Sequence, residues 1–585
     1  MKSIITIGVL LLMVNMTKAQ GNENFIQYDL DSILQKYAAA AKLVGSSLSL
    51  TDLKGETIFS NYGYSNLQRK DTVQANTLFR IGSCSKTFTA IAVLQLVEKG
   101  KINLNEPIQT YLPYLNWKKP ASMPAITVHH LLTHTAGVRD EVSNGLFTER
   151  SFSTCMREDM INDTLFIAPN TLWAYSNYSY GILGCLIEEV SGLSYQSYLS
   201  QHIFKPIGME NTDLYLEKAG DRMFAAGYDE EQKIYQEGAV REPAVGDLVS
   251  CAKDMELFVR MLLGHGQIDG RQILKPETFE MMTTNQLAPL KLDTGNEFGY
   301  GVFISELETV SDSLLGKIIA HKGDTKVFHA IFLVLPKMGV GVTVSTNSEN
   351  GGAAVNTIAS AVLMYYLEKV KNVDLADGSH NGFYEPQMQY SKLSNEKLIG
   401  QYDIGSGLLY LKKKGKKKLK MKTDFKSPDI VLLPLDDGIF EAKVFLFKFL
   451  PIKVKSTRVF FEEVEGEIYM KQISKRNKSS DYIGKKIPPL PFNKDWQNRV
   501  GEYEIVNLDK ATISLIPKSL RIHDGLIYLE MTAVNDTEIY QERSFEPQSS
   551  TFARSNMIGR GSGQYLKVLS NGNLYYSGFE MKIKK

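Results

Sequence analysis

What this chain has little of narrows its chemistry first. Among 585 residues there are four cysteines, Cys84, Cys155, Cys185 and Cys251. They are scattered without C-x-x-C spacing, which argues against a zinc ribbon or a redox pair. Their pairing in an oxidising compartment stays open, and Cys84, inside a helical stretch, reads most simply as a buried thiol. Charge of one sign is missing too: 66 Lys and Arg stand against 65 Asp and Glu. A chain so balanced has no global field to draw it to nucleic acid or to an anionic membrane surface. After the N-terminus there is no apolar run long enough to span a bilayer. The run that does exist, Ile4 to Val14, follows Lys2 and leads to Ala19, Gln20 and Gly21, with Thr17 at minus three. This is the pattern of an export signal cut after Ala19. No cysteine follows the cut to carry a lipid. The expectation is an exported protein, periplasmic or secreted, without stable membrane insertion.

The length allows about two to four domains, each with its own core. From about Asn24 to Val370 helix-like and strand-like segments alternate. Val44 to Leu50 and Glu56 to Tyr64 read as a strand hairpin. Helical stretches follow at Ser83–Lys99, Val128–Thr133, Asn177–Ser191 and Ala252–Leu263. Strands rich in Val, Ile and Phe come next at Lys317–His321, Val327–Leu335 and Val340–Thr346, and then a helix at Ala353–Lys369. Such an order predicts one α/β domain, opened and closed by strands, whose sheet joins both chain ends.

The pattern changes after Lys371. Asp374 to Gln389 is polar, carries Gly378, Gly382 and Pro386, and reads as a linker. Beyond it only short alternating strands remain. Leu398-Ile399-Gly400-Gln401-Tyr402-Asp403 is echoed by Arg499-Val500-Gly501-Glu502-Tyr503-Glu504, with Pro488, Pro489 and Pro491 between the copies. Two small β modules, barrels or sandwiches, are expected, with one larger β domain as the alternative. The division is 1–19 leader, 20–372 first domain, 373–395 linker, and β modules over 396–490 and 491–585. Lys412–Lys414 and Lys416–Lys418 flank Gly415 beside Leu411, Leu419 and Met421. This reads as a solvated hairpin tip, where lysines discourage edge pairing.

Three short stretches carry chemistry. In Ser83-Cys84-Ser85-Lys86, Gly82 permits a tight entry into an apolar helix that Gly100 stops. Ser83 then lies at a helix N-terminus, where unpaired N–H groups favour negative charge. Lys86 is one turn on and can reach the Ser83 hydroxyl. A serine needs a base to attack, and a lysine held dry can lose its proton near neutral pH. Ser85 is the poorer nucleophile, since Phe88 stands at its own i+3. In Tyr175-Ser176-Asn177, Tyr175 and Asn177 can point the same way on an extended turn. A phenol beside an ammonium can act as proton relay, and the amide can donate to a substrate carbonyl while orienting the lysine. In His321-Lys322-Gly323-Asp324, at the end of a strand, Gly323 allows close approach. The N–H of Asp324, with that of Ser83, could form a two-donor oxyanion hole.

The order S-x-x-K, Y-x-N, H-x-G resembles the serine β-lactamase-related family: class C β-lactamases, penicillin-binding-type DD-peptidases, D-aminopeptidases and related esterases and acyltransferases. Further phrases carry the likeness: Ile126-Thr127-Val128-His129-His130-Leu131-Leu132-Thr133-His134-Thr135-Ala136-Gly137, Pro206-Ile207-Gly208-Met209-Glu210-Asn211-Thr212, and Phe298-Gly299-Tyr300-Gly301. The resemblance spans residues 25 to 370. It implies Ser83 as acylated nucleophile, Lys86 with Tyr175 as proton-transfer pair, and Asn177, His321, Gly323 and Asp324 around the substrate. It implies an α/β (α+β) fold with an antiparallel sheet, helices on both faces and an all-helical region, followed by the C-terminal all-β, barrel-like region. The family needs no metal or other cofactor. His130 and His134, four apart, lack the glutamate of H-E-x-x-H, so zinc is not expected.

Two departures bear on substrate. Val327 stands where many relatives have a glycine, and His321 replaces the lysine of K-T-G, which argues against efficient β-lactam hydrolysis. Lys322 could restore a cation for a substrate carboxylate. The expected function is hydrolysis of an amide, peptide or ester, D-amino-acid peptides or β-lactam-like substrates among them, through an acyl-enzyme on Ser83. An acyltransferase is the rival within that chemistry, and a silent ligand-binding protein is the rival outside it. The appended modules resemble the C-terminal β-barrels of D-aminopeptidase relatives, which implies a part in shaping access to the cleft.

Overall fold

The computed structural model describes residues 25–55, 57–140, 163–215, 221, 223–238, 243–287, 289–293, 295–305, 315–374, 393–415, 417–423, 429–435, 438–446, 450–451, 457–473, 480–508, 515–532, 541–557 and 562–584. The expected export leader, Cys155 and most of the expected linker lie outside the described residues.

An eight-stranded antiparallel sheet organises the first part of the chain. Its order is Asp71–Thr72, Ile58–Asn66, Gly45–Asp52, Val340–Thr346, His329–Leu335, Ile318–Asp324, Phe303–Ser305 and Glu297–Phe298. The first long strand pairs with the last, Leu48 opposite Val344 and Leu50 opposite Val342, so both ends of the domain meet in mid-sheet. One face is covered by two helices, 25–40 and Gly351–Lys369. Leu30, Leu34 and Ala38 from the first and Val355, Ile358 and Val362 from the second pack on Leu48, Leu50, Val342 and Val344. The sequence was expected to open in strands instead. Ile26, Leu30, Ile33, Leu34, Tyr37 and Ala38 recur at three- and four-residue spacing along helix 25–40, the period of an amphipathic helix, so the signal was present in the sequence.

The opposite face carries Ala252–Leu263 and Ser85–Glu98, with Phe258 stacked 4.3 Å from Phe88 and edge-on to Phe332 at 5.6 Å. Ser85–Glu98 is buried from Ser85 to Leu96, which explains why it has no solvated polar face; Thr87, Thr89 and Gln95 donate instead to buried carbonyls of Gly301, Ala244 and Ile273. A 3-10 turn, Gly82–Cys84, leads into it, and Cys84 is a buried free thiol there, as Cys251 is elsewhere. The strand expected to stop at His321 runs on to Asp324, and the next begins at His329, not Val327. Residues 325–328 form the turn between them, with Thr325 N–H donating to the Phe328 carbonyl at 2.8 Å.

Beyond residue 393 the described residues lie mostly in strands. Nine strands lie between Gly400 and Ile487, and pairing of Asp429–Pro434 with Ile439–Leu446 closes eight of them into a ring. Eight more, from Gly501–Ile505 to Phe579–Ile583, form a second closed barrel. Closure removes the sheet edges that would otherwise invite pairing with other chains. The repeated hexapeptide opens each ring in the same way. A short helix precedes it, Asn395–Leu398 or Lys494–Gln497, capped by Ser394 or Asn493. The buried tyrosine then donates four residues back, Tyr402 to the Leu398 carbonyl at 2.8 Å and Tyr503 to that of Arg499 at 2.5 Å. The lysine cluster lies at the tip of the hairpin Leu408–Lys414 and Lys418–Thr423, with Leu411, Leu419 and Met421 turned inward.

Just ahead of Ser83, Arg80 is wholly buried between two carboxylates. It lies 2.9 Å from Asp247 and 3.4 Å from Glu237, donates to the Gly238 carbonyl at 2.7 Å, and sits 4.4 Å from the Tyr215 ring centre. Removing one partner of such a network strands the others' charge. Arg80→Met should therefore destabilise the first domain by about 3–5 kcal/mol, read from its urea midpoint. A loss below about 1 kcal/mol, typical of exposed pairs, would contradict this account.

Candidate active site

Ser83 is partly exposed in the 3-10 turn, while Lys86, one turn further, is wholly buried. Lys86 Nζ donates to Ser83 Oγ at 3.0 Å and to the Val245 carbonyl at 2.7 Å. It lies 5.0 Å from the Tyr175 ring centre and 5.8 Å from that of Tyr180. Aromatic faces attract a cation at such range. The amine is thus held between hydroxyl, carbonyl and two rings, with its position set by the rigid helix.

The strand Ile318–Asp324 closes the other side. A Cβ on Gly323 would stand 1.9 Å from the Ile81 carbonyl oxygen and 2.8 Å from Ser83 N. A Cβ on Gly82, whose φ is +48°, would stand 2.8 Å from Asp324 N. Strand and turn therefore meet main chain to main chain, which brings the backbone nitrogens of Ser83 and Asp324 to one spot. Side chains alternate along the strand, so His321 shares its face with Gly323, while Lys322 and Asp324 share the other. Lys322 is accordingly ion-paired with Asp324 at 2.9 Å, and His329 Nδ1 lies 2.6 Å from the same carboxylate. Burial alone would raise the Asp324 carboxyl, but hydrogen bonds from His329 and Lys322 outweigh it and hold it low. The expected spare cation at Lys322 is already partnered.

His321 Nδ1 lies 2.7 Å from the Lys322 carbonyl, an acceptor, so Nδ1 carries the proton and Nε2 the lone pair. Nε2 is buried without a hydrogen-bond partner among the described residues. Its ring centre is 6.4 Å from that of Tyr175 and 5.3 Å from that of Phe303. Burial first, then the charge of Lys86, depresses the imidazole to about 3.

Tyr175 backs onto His134, ring centres 4.5 Å apart. His134 Nδ1 accepts the Ser176 N–H at 3.0 Å, and burial first, then Lys86, pushes its titration well below the usual range. His130 is used differently: its Nδ1 accepts the Thr127 N–H at 3.0 Å in a reciprocal helix cap. Asn177, half-buried, is the first residue of the helix Asn177–Ser191. Val327 is fully buried, and a Cβ on Gly227 would come within 2.3 Å of its methyl group. The bulk gained at 327 is matched by its absence at 227.

Ser83, Lys86, Tyr175, His321, Gly323 and Asp324 thus converge, with Asn177 two residues from Tyr175. Sequence reasoning missed Val245, Tyr180 and the positioning by His134. Val245 contributes only a carbonyl, which any residue could supply. Tyr180 closes the aromatic run Trp173, Tyr175, Tyr178, Tyr180 and was legible in principle; its hydroxyl donates to the Leu132 carbonyl at 2.9 Å.

The Beta-lactamase family model matches residues 30–363, more than half of the chain, and the chain belongs to that family. The class this defines is that of β-lactamase-like domains, among which penicillin-binding protein homologues are found. Over 260 residues the chain is 32% identical to a Bacillus subtilis (strain 168) protein carrying the name penicillin-binding protein PbpX, 43% of this chain and 62% of that one. It is 22% identical over 336 residues to protein flp of Staphylococcus aureus (strain MW2), 55% of this chain and 64% of that one. The chain thus spans a little under two thirds of the length of these relatives. In fold it is similar to the octameric penicillin-binding protein homologue from Pyrococcus abyssi, with TM-score 0.51 and 22% identity, covering 77% of this chain and 98% of that one. It is similar also to SurE solved with D-Leu, with TM-score 0.56 and 19% identity, covering 79% of this chain and 100% of that one.

The two buried imidazoles yield a pH prediction. His321 stays neutral in the folded chain down to about pH 3, whereas an unfolded histidine protonates near about 6.5. Below that value the unfolded state binds more protons, so stability falls as pH falls. The wild type should lose stability between about pH 6 and 4 more steeply than His321→Asn, by up to ~1.4 kcal/mol per pH unit. Parallel slopes would show that His321 protonates in place.

Proposed function

We propose that this chain is an exported serine hydrolase that forms an acyl-enzyme on Ser83. The observation carrying the proposal is the 3.0 Å contact between Lys86 Nζ and the hydroxyl of a serine that solvent can reach. Ser83 Oγ attacks a carbonyl carbon as its proton passes to the Lys86–Tyr175 pair. The carbonyl oxygen takes up negative charge between the N–H groups of Ser83 and Asp324. The pair returns the proton to the departing amine or alcohol as its bond to carbon breaks, leaving the ester on Ser83. Water then attacks that ester, its proton passing to the same pair and on to Ser83. Asn177 orients substrate at the head of its helix.

The proposed substrate is an amide, peptide or ester, with D-amino-acid peptides foremost. Two features of the strand favour a group without a free carboxylate there. Lys322 is engaged by Asp324, and His321 offers a buried lone pair where a K-T-G lysine would offer a charge. The fold's likeness to a protein solved with D-Leu is in keeping with a D-amino acid. Export rests on the leader ending at Ala19.

The test is intact-mass measurement after incubation with a fluorophosphonate and with a panel of D-amino-acid amides, esters and β-lactams. Wild type should gain one adduct on Ser83, and Ser83→Ala none. Lys86→Met should slow adduct formation on the order of 10²–10⁴-fold. No adduct between about pH 6 and 9 would overturn the proposal in favour of ligand binding without catalysis. Products carrying an added alcohol or amine, rather than water, would reassign the chain as an acyltransferase.

A further inference from the structure

The Tyr175–Asn177 turn carries half of the proposed proton-transfer pair, and its position is set by residues far along the chain. Ser176 is pinned on three sides. Its N–H donates to His134, its hydroxyl donates to the Arg139 carbonyl at 2.7 Å, and that hydroxyl accepts the Ser179 N–H at 3.0 Å. Tyr178 N–H donates to the Asp140 carbonyl at 2.8 Å. The main chain at 139–140 is therefore the rail on which the turn rests.

That rail is held by the second C-terminal barrel. Arg139 Nε lies 3.0 Å from Asp163 Oδ2, both side chains 2% exposed. The other oxygen of Asp163 accepts the hydroxyl of Tyr565 at 2.8 Å. Burial first, then the neighbouring carboxylate, keeps that phenol protonated and so a donor. Gln564 donates its amide to Asp140, and Arg139 Nη1 reaches the hydroxyl of Tyr575 at 3.4 Å. Gly563, at φ +79°, lies so close that a Cβ would stand 2.8 Å from Arg139 N. The first ring braces the same turn from its other flank: Tyr482 shares a buried cluster with Leu172, Ala174 and Leu292. Lys471 of that ring donates to the Asp293 carbonyl at 2.5 Å.

We infer that the second barrel is a built-in clamp of the reaction site, with Gly563, Gln564 and Tyr565 as positioning residues. Through Arg139, Asp140 and Asp163 they hold Tyr175 and Asn177 against Lys86. They touch no substrate. Losing them lets the turn drift from Lys86, which costs rate with little change in substrate affinity.

The test uses the full chain with Tyr565→Phe, Gln564→Ala and the two combined. Two readouts separate this inference from the acylation on which its rate effect rests. Hydrogen exchange over residues 173–180 should quicken about 10-fold or more in the double variant, while Ser85–Glu98 and Gly45–Asp52 exchange as in the wild type. The maximal rate of Ser83 labelling should fall about 10–100-fold, with half-saturation moving less than about 2-fold. Wild-type exchange over 173–180 in the double variant would overturn the clamp, and so would equal quickening in all three segments. If the wild type forms no adduct, the proposed acylation fails and the exchange result still decides the clamp.

Discussion

Everything at this site depends on one contact between main chains, where the turn Ile81–Ser83 meets the strand at Gly323. A hydroxyl can be aimed by a helix and a base can be placed one turn along it. Two backbone nitrogens from distant segments can converge only if nothing stands between them. Gly82 and Gly323 each lack the one atom that would stand there. The strand cannot relieve a clash by sliding, because its register is tied to the middle of the sheet: His321 faces Phe332, and Leu48 faces Val344. A slip of one residue would put Lys322 where His321 stands. The H-x-G spacing is thus a statement about strand pleat as much as about chemistry.

The electrostatics follow from where that contact places the buried charges. Arg80, Lys86 and Arg139 are all wholly or almost wholly buried, and each is met by carboxylates, carbonyls or ring faces fixed by the fold. Neighbouring imidazoles are kept neutral by burial, and Lys86 adds to the effect at both His134 and His321. Both imidazoles therefore remain neutral beside Lys86. Asp324 can lend its N–H to the site while its carboxylate is engaged on the far face by Lys322 and His329.

Much of this was legible from residues alone, for reasons that can be named. Ser83 and Lys86 sit on one helix, so three-residue spacing translates directly into distance. His321 and Gly323 sit on one strand, so two-residue spacing translates into a shared face. The same rule makes Lys322 and Asp324 neighbours on the opposite face, yet Lys322 was considered as a spare cation without its partner. The helix 25–40 was legible in the three- and four-residue spacing of Ile26, Leu30, Ile33, Leu34, Tyr37 and Ala38, although the strands it covers include ones three hundred residues later. Val245 was illegible in principle, since a carbonyl has no signature. Likewise Asp163 and Tyr565 acquire meaning only as a pair.

The two C-terminal rings meet the Trp173–Tyr178 segment by different means, and the difference is physical. Apolar contact, as between Tyr482 and Leu172, is strong per area but indifferent to small rotations. Hydrogen bonds to ionised carboxylates are directional and lose strength when bent, and inside a dry interface an unmet one is costly. Apolar packing on one flank supplies adhesion, while the Tyr565–Asp163–Arg139 chain on the other supplies a position. A turn that must hold a phenol within reach of a lysine needs both. A barrel appended far along the chain can then serve the chemistry of Ser83 without approaching its substrate.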